Sequence, residues 1–125
     1  MKRLLVVDDM DVMRSVVSTI ARECDFDVSQ ASNGEQALQA LAAKRFDAVL
    51  SDWNMPRMNG EELVRELRAR GATMPVIMIT AEADRSKLEA LVAIGVQGYI
   101  LKPFKPEALR KALLALHARL KNTPA

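Results

Sequence analysis

The sequence predicts a (βα)5 domain of the α/β class with a doubly wound parallel sheet, and three observations support this. Five short apolar runs, rich in β-branched residues, alternate along the chain with five longer stretches of helical periodicity. Such alternation is typical of successive βα units, whose right-handed crossovers leave neighbouring strands parallel. The first and third runs are apolar almost throughout, which indicates strands that are buried on both faces.

The elements follow in strict order along the chain. We predict strands over residues 3–8, 27–31, 46–51, 75–80 and 97–101. We predict helices over residues 11–24, 34–43, 60–70, 84–94 and 106–121. The first helix carries a single apolar stripe, which consists of Met13, Val16, Val17 and Ile20.

Local signals mark the start of the second helix. The segment Ser-Asn-Gly-Glu at 32–35 has the form of a capping box. In this interpretation the Ser32 hydroxyl and the Glu35 carboxylate satisfy free amide groups at the helix start.

Similar signals bound the later helices. Asn59, with Glu62 three residues further on, is predicted to cap the third helix. Gly71 and Gly95 stand where the third and fourth helices should end in a left-handed residue. Pro106 suits the first turn of the fifth helix.

Composition and charge narrow the classes of function. A chain of 125 residues is near the commonest domain size, so we expect residues 1–125 to form one domain without an output domain. The net charge is only +2 and the basic residues are dispersed, which argues against a nucleic-acid partner. A single cysteine, Cys24, excludes an internal disulfide and fits a cytoplasmic protein. No apolar run is long enough for a membrane span.

The residues best able to carry chemistry stand at the carboxyl ends of the predicted strands. Asp8 and Asp9 end the first apolar run, and Asp52 ends the third. Thr80 ends the fourth run, and Lys102 follows the fifth. In an open parallel sheet these ends lie along one edge, where such sheets place their binding sites. Three carboxylates, one hydroxyl and one ammonium group should therefore converge.

Three crowded carboxylates need a compensating cation. Two unit charges about 4 Å apart repel by roughly 4 kcal/mol at an effective dielectric constant of about 20. Hard oxygen ligands with room for water favour Mg²⁺, and one cysteine with one histidine cannot build a zinc site. With Mg²⁺ bound, a carboxylate can act as a nucleophile toward a phosphoryl group, and Lys102 can help to neutralise its charge. The pattern predicts a magnesium-dependent phosphoryl-acceptor site.

Together these residues resemble the receiver domain of bacterial two-component response regulators. The motifs that carry the resemblance are Asp8-Asp9, the segment Ser51-Asp52-Trp53-Asn54-Met55-Pro56, Gly60, Thr80-Ala81 and Lys102-Pro103-Phe104. The resemblance covers the whole chain. The segment around Asp52, the run from Thr80 to Ala83 and the pair Gly98-Tyr99 are especially similar to single-domain chemotaxis regulators of this family. It implies a flavodoxin-like sheet with strand order 2-1-3-4-5.

The resemblance also implies a role for the reacting groups. Asp52 matches the phosphoacceptor of the family. Thr80 and Lys102 match residues that contact the phosphoryl group. In the family the peptide bond that corresponds to Lys102–Pro103 is commonly cis.

A second set of positions matches the metal ligands of the family. Asp9 and Asp52 would bind Mg²⁺ directly, together with the backbone carbonyl of Asn54, while Asp8 would act mainly through water. Asn54 and Glu82 flank the approach of the attacking water. We expect these two side chains to set the lifetime of the phosphoryl group.

The family further implies an output surface on the fourth helix, fifth strand and fifth helix. Phosphorylation would favour the state in which Thr80 and Tyr99 point inward. Leu88 and Val92 are expected to form an exposed apolar strip near Tyr99 and Leu101. The implied phosphoryl donor is a histidine kinase or a histidine phosphotransfer protein. The implied target is a downstream protein, with a flagellar motor or chemotaxis component as the leading candidate.

Three alternatives stay open at this point. The chain could serve as a phosphate sink or relay intermediate in a pathway other than chemotaxis. It could be a haloacid-dehalogenase-type phosphohydrolase, although Asp9-Met10-Asp11 supplies only part of that motif. Flavodoxin-like cofactor binding is the weakest, because no hydroxyl- and glycine-rich phosphate loop follows the first strand.

Overall fold

The computed structural model describes residues 1–81 and 84–121, in which five strands alternate with five helices. The strands are β1 (Lys2–Val7), β2 (Phe26–Ala31), β3 (Ala48–Asp52), β4 (Val76–Thr80) and β5 (Gly98–Leu101). The helices are α1 (Asp11–Glu23), α2 (Gly34–Ala43), α3 (Gly60–Ala69), α4 (Arg85–Ala93) and α5 (Pro106–Lys121). All neighbouring strands pair in parallel, in the order β2-β1-β3-β4-β5. The predicted fold class and strand order are confirmed.

Helices cover both faces of the sheet. Because side chains alternate along a strand, Leu4 and Val6 of β1 pack in one apolar cluster with α1 and α5. Leu5 and Val7 pack in a second cluster with α2, α3 and α4. All residues of β3 are buried as well, which confirms that the first and third strands lie inside the sheet.

The strand register brings the carboxyl ends to one edge. Val7 at the end of β1 pairs with Ser51 of β3. Asp52 pairs with Ile79 of β4, and Thr80 pairs with Leu101 of β5. The residues that follow these pairs therefore start from neighbouring positions.

The end signals of the later helices have the expected geometry. The Asn59 side chain accepts a hydrogen bond from the Glu62 backbone N–H at 2.8 Å, and the Glu62 carboxylate accepts one from the Asn59 N–H at 3.3 Å. Gly71 and Gly95 adopt φ angles of 84° and 101°, the left-handed conformation that ends a helix.

The predicted cap of α2 is wrong by one residue. Asn33, not Ser32, is the N-cap, and its side chain accepts from the Gln36 N–H at 2.8 Å. The Gln36 side-chain oxygen in turn accepts from the backbone N–H of Ser32 at 2.9 Å. Asparagine caps a helix as well as serine does, and Asn33 stands directly before the first helical residue.

The apolar stripe of α1 is narrower than the periodicity suggests. Val17 and Ile20 are buried against the sheet, and Met13 packs partly against the same cluster. Val16 lies at the edge of the stripe and is exposed.

Among the helices of the described ranges, none combines the length and the hydropathy that crossing a bilayer requires.

We predict that Leu113→Ala lowers the free energy of unfolding by about 2–5 kcal/mol, because it leaves a cavity in the cluster beneath α5. The neighbouring Leu114→Ala is the matched control. Leu113 is 1% exposed and Leu114 is 52% exposed, so the control should change stability by less than about 1 kcal/mol. Urea denaturation followed by circular dichroism measures both. Equal losses would contradict this assignment of the buried face of α5.

Candidate functional site

Three carboxylates meet at the carboxyl edge of the sheet. Asp8 and Asp9 follow β1, Asp52 ends β3, and each offers an oxygen that lies within 4.8 Å of the other two. Asp8 and Asp52 are only 2% and 3% exposed, whereas Asp9 faces solvent. The structure thus brings together the three acidic residues that the sequence pattern singled out.

A lysine faces this cluster from the end of β5. Lys102 Nζ donates to Asp52 Oδ1 at 2.9 Å. The backbone N–H of Lys102 donates to the Thr80 carbonyl at 2.7 Å, and the Lys102–Pro103 peptide bond is cis, as the resemblance implies. The ammonium group offsets part of the negative charge but leaves the cluster with more carboxylates than cations.

One oxygen of Asp8 has no hydrogen-bond donor among the described residues. Asp8 Oδ1 accepts from the Met10 N–H at 2.9 Å, while Oδ2 is buried without a partner. Burial raises the pKa of the Asp8 carboxyl; the Met10 N–H lowers it, and the charge of Asp52 raises it further. A buried, unpartnered carboxylate oxygen among other carboxylate oxygens is suited to a hard divalent cation. The residues present therefore fit Mg²⁺.

A cavity opens beside Thr80. It has a volume of about 430 Å³ and is lined by Trp53, Asn54, Glu61, Thr80, Ala81, Lys87 and Ala90. Thr80 is buried, and Asn54 is exposed in the loop after β3. The cavity offers a small molecule or a water a route to this edge of the sheet. The sequence analysis did not predict that Glu61 and Lys87 line this cavity. Glu82, which the resemblance places beside the approach of water, lies outside the described residues.

Close packing fixes the loop after β3. A Cβ atom on Gly60 would lie 2.7 Å from the carbonyl oxygen of Asp52, so only glycine fits there. The Gly60 N–H donates to the Trp53 carbonyl at 2.8 Å. The start of α3 is thereby held directly against the end of β3.

The residues assigned to the output surface line two adjacent grooves. One groove of about 400 Å³ lies among Arg85, Leu88, Glu89, Val92 and Tyr99. The second contains Tyr99, Leu101, Phe104, Ala108 and Ala112, among others. Val92, Tyr99 and Leu101 are exposed, whereas Leu88 is half-buried and packs partly on the core.

Arg14 is a residue of this edge that sequence reasoning missed. Its guanidinium donates to the backbone carbonyl of Asp8 at 2.8 Å and to the Gln30 side-chain oxygen at 3.0 Å. It also pairs with Asp11 at 2.6 Å. The spacing of three residues between Asp11 and Arg14 was the one visible signal, and it predicts only a helical ion pair.

Comparison with known proteins identifies a family whose members match this chain in sequence and in structure. A family model described as the response regulator receiver domain matches residues 4–114. The chemotaxis protein CheY of Pseudomonas aeruginosa is 36% identical over 121 residues, which cover 94% of this chain and 98% of the relative. The chemotaxis protein CheY-3 of Vibrio cholerae is 40% identical over 121 residues, with 94% and 93% covered. The solved structure of CheY4 of Vibrio cholerae superposes with a TM-score of 0.86 at 36% identity, covering 93% of this chain and 98% of that one.

The fold and the site are those of a small α/β domain with an acidic cluster at the carboxyl edge of its parallel sheet. The chain belongs to the response regulator receiver domain family of two-component signalling. CheY-like receiver domains are signalling proteins and not classical enzymes.

We predict that Asp8→Asn raises the free energy of unfolding in metal-free buffer at neutral pH by about 1 kcal/mol or more, because it removes a buried charge beside Asp52. Folding raises the pKa of Asp8, so the ionised carboxylate costs stability above that pKa. The advantage of the variant should therefore shrink as the pH falls through the raised pKa.

Urea denaturation over a pH series in the presence of a chelator measures this effect. Asp27→Asn is the control, because Asp27 is exposed near the opposite end of β2. In a parallel titration, Trp53 fluorescence should respond to magnesium in the wild type and respond less in Asp8→Asn. A variant that is no more stable than the Asp27 control at neutral pH would contradict the unfavourable charge at Asp8.

Proposed function

We propose that this chain is a phosphorylation switch in which Asp52 accepts a phosphoryl group from a histidine kinase or a histidine phosphotransfer protein. One arrangement carries the proposal. Asp52 lies 2.9 Å from Lys102 and among the carboxylates of Asp8 and Asp9, at the carboxyl edge of a receiver-family sheet. Family membership supports signalling over the phosphohydrolase alternative, because CheY-like receiver domains are not classical enzymes.

The side chains around Asp52 suit phosphoryl transfer. A carboxylate oxygen of Asp52 would attack phosphorus, and an O–P bond forms as the N–P bond to the donor imidazole breaks. The imidazole nitrogen keeps the electron pair of that bond. Lys102, already in contact with Asp52, would neutralise charge on the phosphoryl oxygens. Thr80, which lines the adjacent cavity, would donate a hydrogen bond from its hydroxyl group to one of the phosphoryl oxygens.

We assign the magnesium site to the same edge. Asp9 and Asp52 would bind the ion directly with the backbone carbonyl of Asn54, and Asp8 would act through water. The unpartnered Oδ2 of Asp8 supports this assignment, since a buried carboxylate oxygen needs a positive partner. Bound Mg²⁺ would supply the positive charge that screens the carboxylates and the phosphoryl oxygens from one another.

The register between β4 and β5 supports a coupling between Thr80 and Tyr99. Met78 pairs with Tyr99 and Thr80 pairs with Leu101. Because paired residues share a face and side chains alternate, Thr80 and Tyr99 point to the same face of the sheet. We propose that Thr80 moves toward the phosphoryl oxygens and that Tyr99 turns into the space it leaves. The phosphoryl group would thus shift the population toward an inward state.

The exposed grooves and the names of the relatives support a proposal for the output surface and the pathway. The groove at Leu88, Val92 and Tyr99, with Leu101 beside it, is the proposed docking surface for a downstream protein. The chemotaxis names of the relatives at 36% and 40% identity support a motility target, such as the flagellar motor switch. We propose that residues 1–125 form a receiver domain that acts in the cytoplasm.

The lifetime of the phosphoryl group is the last part of the proposal. Asn54 lies on the cavity that reaches Thr80, where water would approach Asp52. A polar side chain there can orient that water or block it. We propose that Asn54 and Glu82 set the rate at which the aspartyl phosphate is hydrolysed.

We predict that acetyl phosphate with Mg²⁺ adds one phosphoryl group to the wild type and none to Asp52→Asn. An amide nitrogen whose electron pair is delocalised cannot replace the nucleophilic carboxylate oxygen. Intact-protein mass spectrometry measures the adduct, and Asp27→Asn should react like the wild type. Phosphorylation of Asp52→Asn at the wild-type rate would exclude Asp52 as the acceptor.

We predict that Tyr99→Ala and Leu88→Asp weaken binding of the activated protein to its target at least about tenfold while phosphorylation stays intact, since both residues line the groove beside α4 and neither belongs to the acidic cluster. Val92→Asp should act similarly, and it tests the surface without disturbing the half-buried Leu88. Leu114→Asp on α5 is the control, because Leu114 is exposed and lies in neither groove. Loss of phosphorylation in step with loss of binding would contradict a separate output surface.

The target itself is found by affinity capture from the host lysate. Magnesium-loaded protein serves as bait with and without beryllofluoride, which mimics the aspartyl phosphate, and Asp52→Asn is the control. A flagellar switch component retained only by the activated bait would establish the motility role. Histidine kinases or phosphotransfer proteins captured mainly by the unactivated bait would instead establish the sink or relay.

A further inference from the structure

We infer that Arg14 is a positioning residue for the magnesium site, an inference that rests on the proposed function. Its guanidinium is largely enclosed, with only 16% of the side chain exposed. Its three nitrogens donate hydrogen bonds to three different parts of the fold. The acceptors are the Asp8 carbonyl after β1, the Gln30 side chain on β2 and the Asp11 carboxylate on α1. A planar guanidinium can hold three such acceptors at fixed angles, which an ammonium group cannot do.

The contact with Asp8 closes a turn that carries both acidic residues. Asp8 is fixed on one side because its N–H donates to the Ala31 carbonyl at 3.1 Å. Within the turn, Asp8 Oδ1 accepts from the Met10 N–H, and the Arg14 N–H donates to the Met10 carbonyl at 2.9 Å. The guanidinium adds the hydrogen bond at 2.8 Å to the Asp8 carbonyl. The backbone of this turn orients the Asp8 and Asp9 carboxylates. Arg14 thereby links the turn to β2 and to α1.

The charge of Arg14 is directed away from the carboxylate cluster. Its ion pair is with Asp11, whose side chain is 86% exposed, and its other contacts are with neutral oxygens. Lys102, in contrast, lies 2.9 Å from a carboxylate oxygen of the cluster. Arg14 therefore acts on the metal site by holding the turn and not by neutralising the carboxylates.

The test measures magnesium affinity apart from turnover. The dissociation constant for Mg²⁺ is obtained from an NMR titration that follows the amide signals of Asp9 and Asp52. Groups that orient metal ligands typically contribute about 10–100-fold to metal affinity, so Arg14→Gln should weaken binding about tenfold. Arg14→Lys should also weaken it, because lysine keeps the charge and loses the fork. Arg70→Gln, which removes an exposed ion pair with Glu66 on α3, should leave the affinity unchanged.

Two further readouts separate positioning from general destabilisation. At saturating Mg²⁺, phosphorylation of Arg14→Gln by acetyl phosphate should return to within about twofold of the wild-type rate, because Asp52 and Lys102 are untouched. In metal-free protein, hydrogen exchange at the Met10 amide should speed up in Arg14→Gln while amides of the β3 core do not change.

Each contrary outcome has a definite meaning. An unchanged magnesium affinity in Arg14→Gln, with normal binding by the wild type, would overturn this inference alone. Equal acceleration of exchange at Met10 and in β3, or wild-type affinity in Arg14→Lys, would also overturn it, in favour of a structural or a charge effect. A wild type that binds no Mg²⁺ would overturn the proposed function, and with it the inference.

Discussion

Two carboxylates lie buried close together at the carboxyl ends of the neighbouring inner strands β1 and β3, and this unfavourable arrangement constrains the site around it. Asp8 and Asp52 are almost inaccessible to water, and Asp9 stands next to them. Their mutual repulsion is of the order of a few kcal/mol, which is a large fraction of the stability of a small domain. The fold tolerates the cluster because β1 and β3 bury apolar side chains on both faces of the sheet. Each large apolar side chain that is fully buried contributes about 1.5–3 kcal/mol to the free energy of folding.

This constraint also explains why one lysine reaches the site from the far side of β4. Lys102 neutralises only one of the carboxylates, so the edge attracts further cations. Conversion of Asp52 to its phosphoryl form would replace a single negative charge with a dianion and increase that demand. Under the proposed function, metal binding and phosphorylation would therefore be linked by charge, before any conformational change is considered. The unpartnered oxygen of Asp8 is the local sign of this imbalance.

The sequence predicts those parts of the structure that depend on local spacing and on general topology. Helical periodicity, the Asn59 cap and the left-handed glycines located the helices to within about two residues, as local signals usually allow. The site could be predicted because parallel strands place their carboxyl ends at one edge.

Contacts between elements could not be predicted in the same way. The bond from Arg14 to Gln30 joins α1 to β2, so it depends on helix rotation and strand register, neither of which is encoded in spacing. The choice of Asn33 over Ser32 as the cap of α2 depends on which of two suitable side chains meets the first free amide. The exposure of Val16 likewise depends on the exact rotation of α1 against the sheet. The two grooves at Tyr99 are bounded by different helices, one by α4 and the other by α5.

Tyr99 lies on β5, an edge strand of the sheet, and Thr80 lies on β4, the described strand that pairs with β5. The Lys102 N–H extends that ladder by donating to the Thr80 carbonyl. A displacement of Thr80 or Lys102 at the acidic edge therefore acts on the same pair of strands that carries Tyr99. Because β5 pairs with β4 alone among the described strands, the proposed coupling of Thr80 and Tyr99 would disturb the sheet less than a movement of an inner strand such as β3.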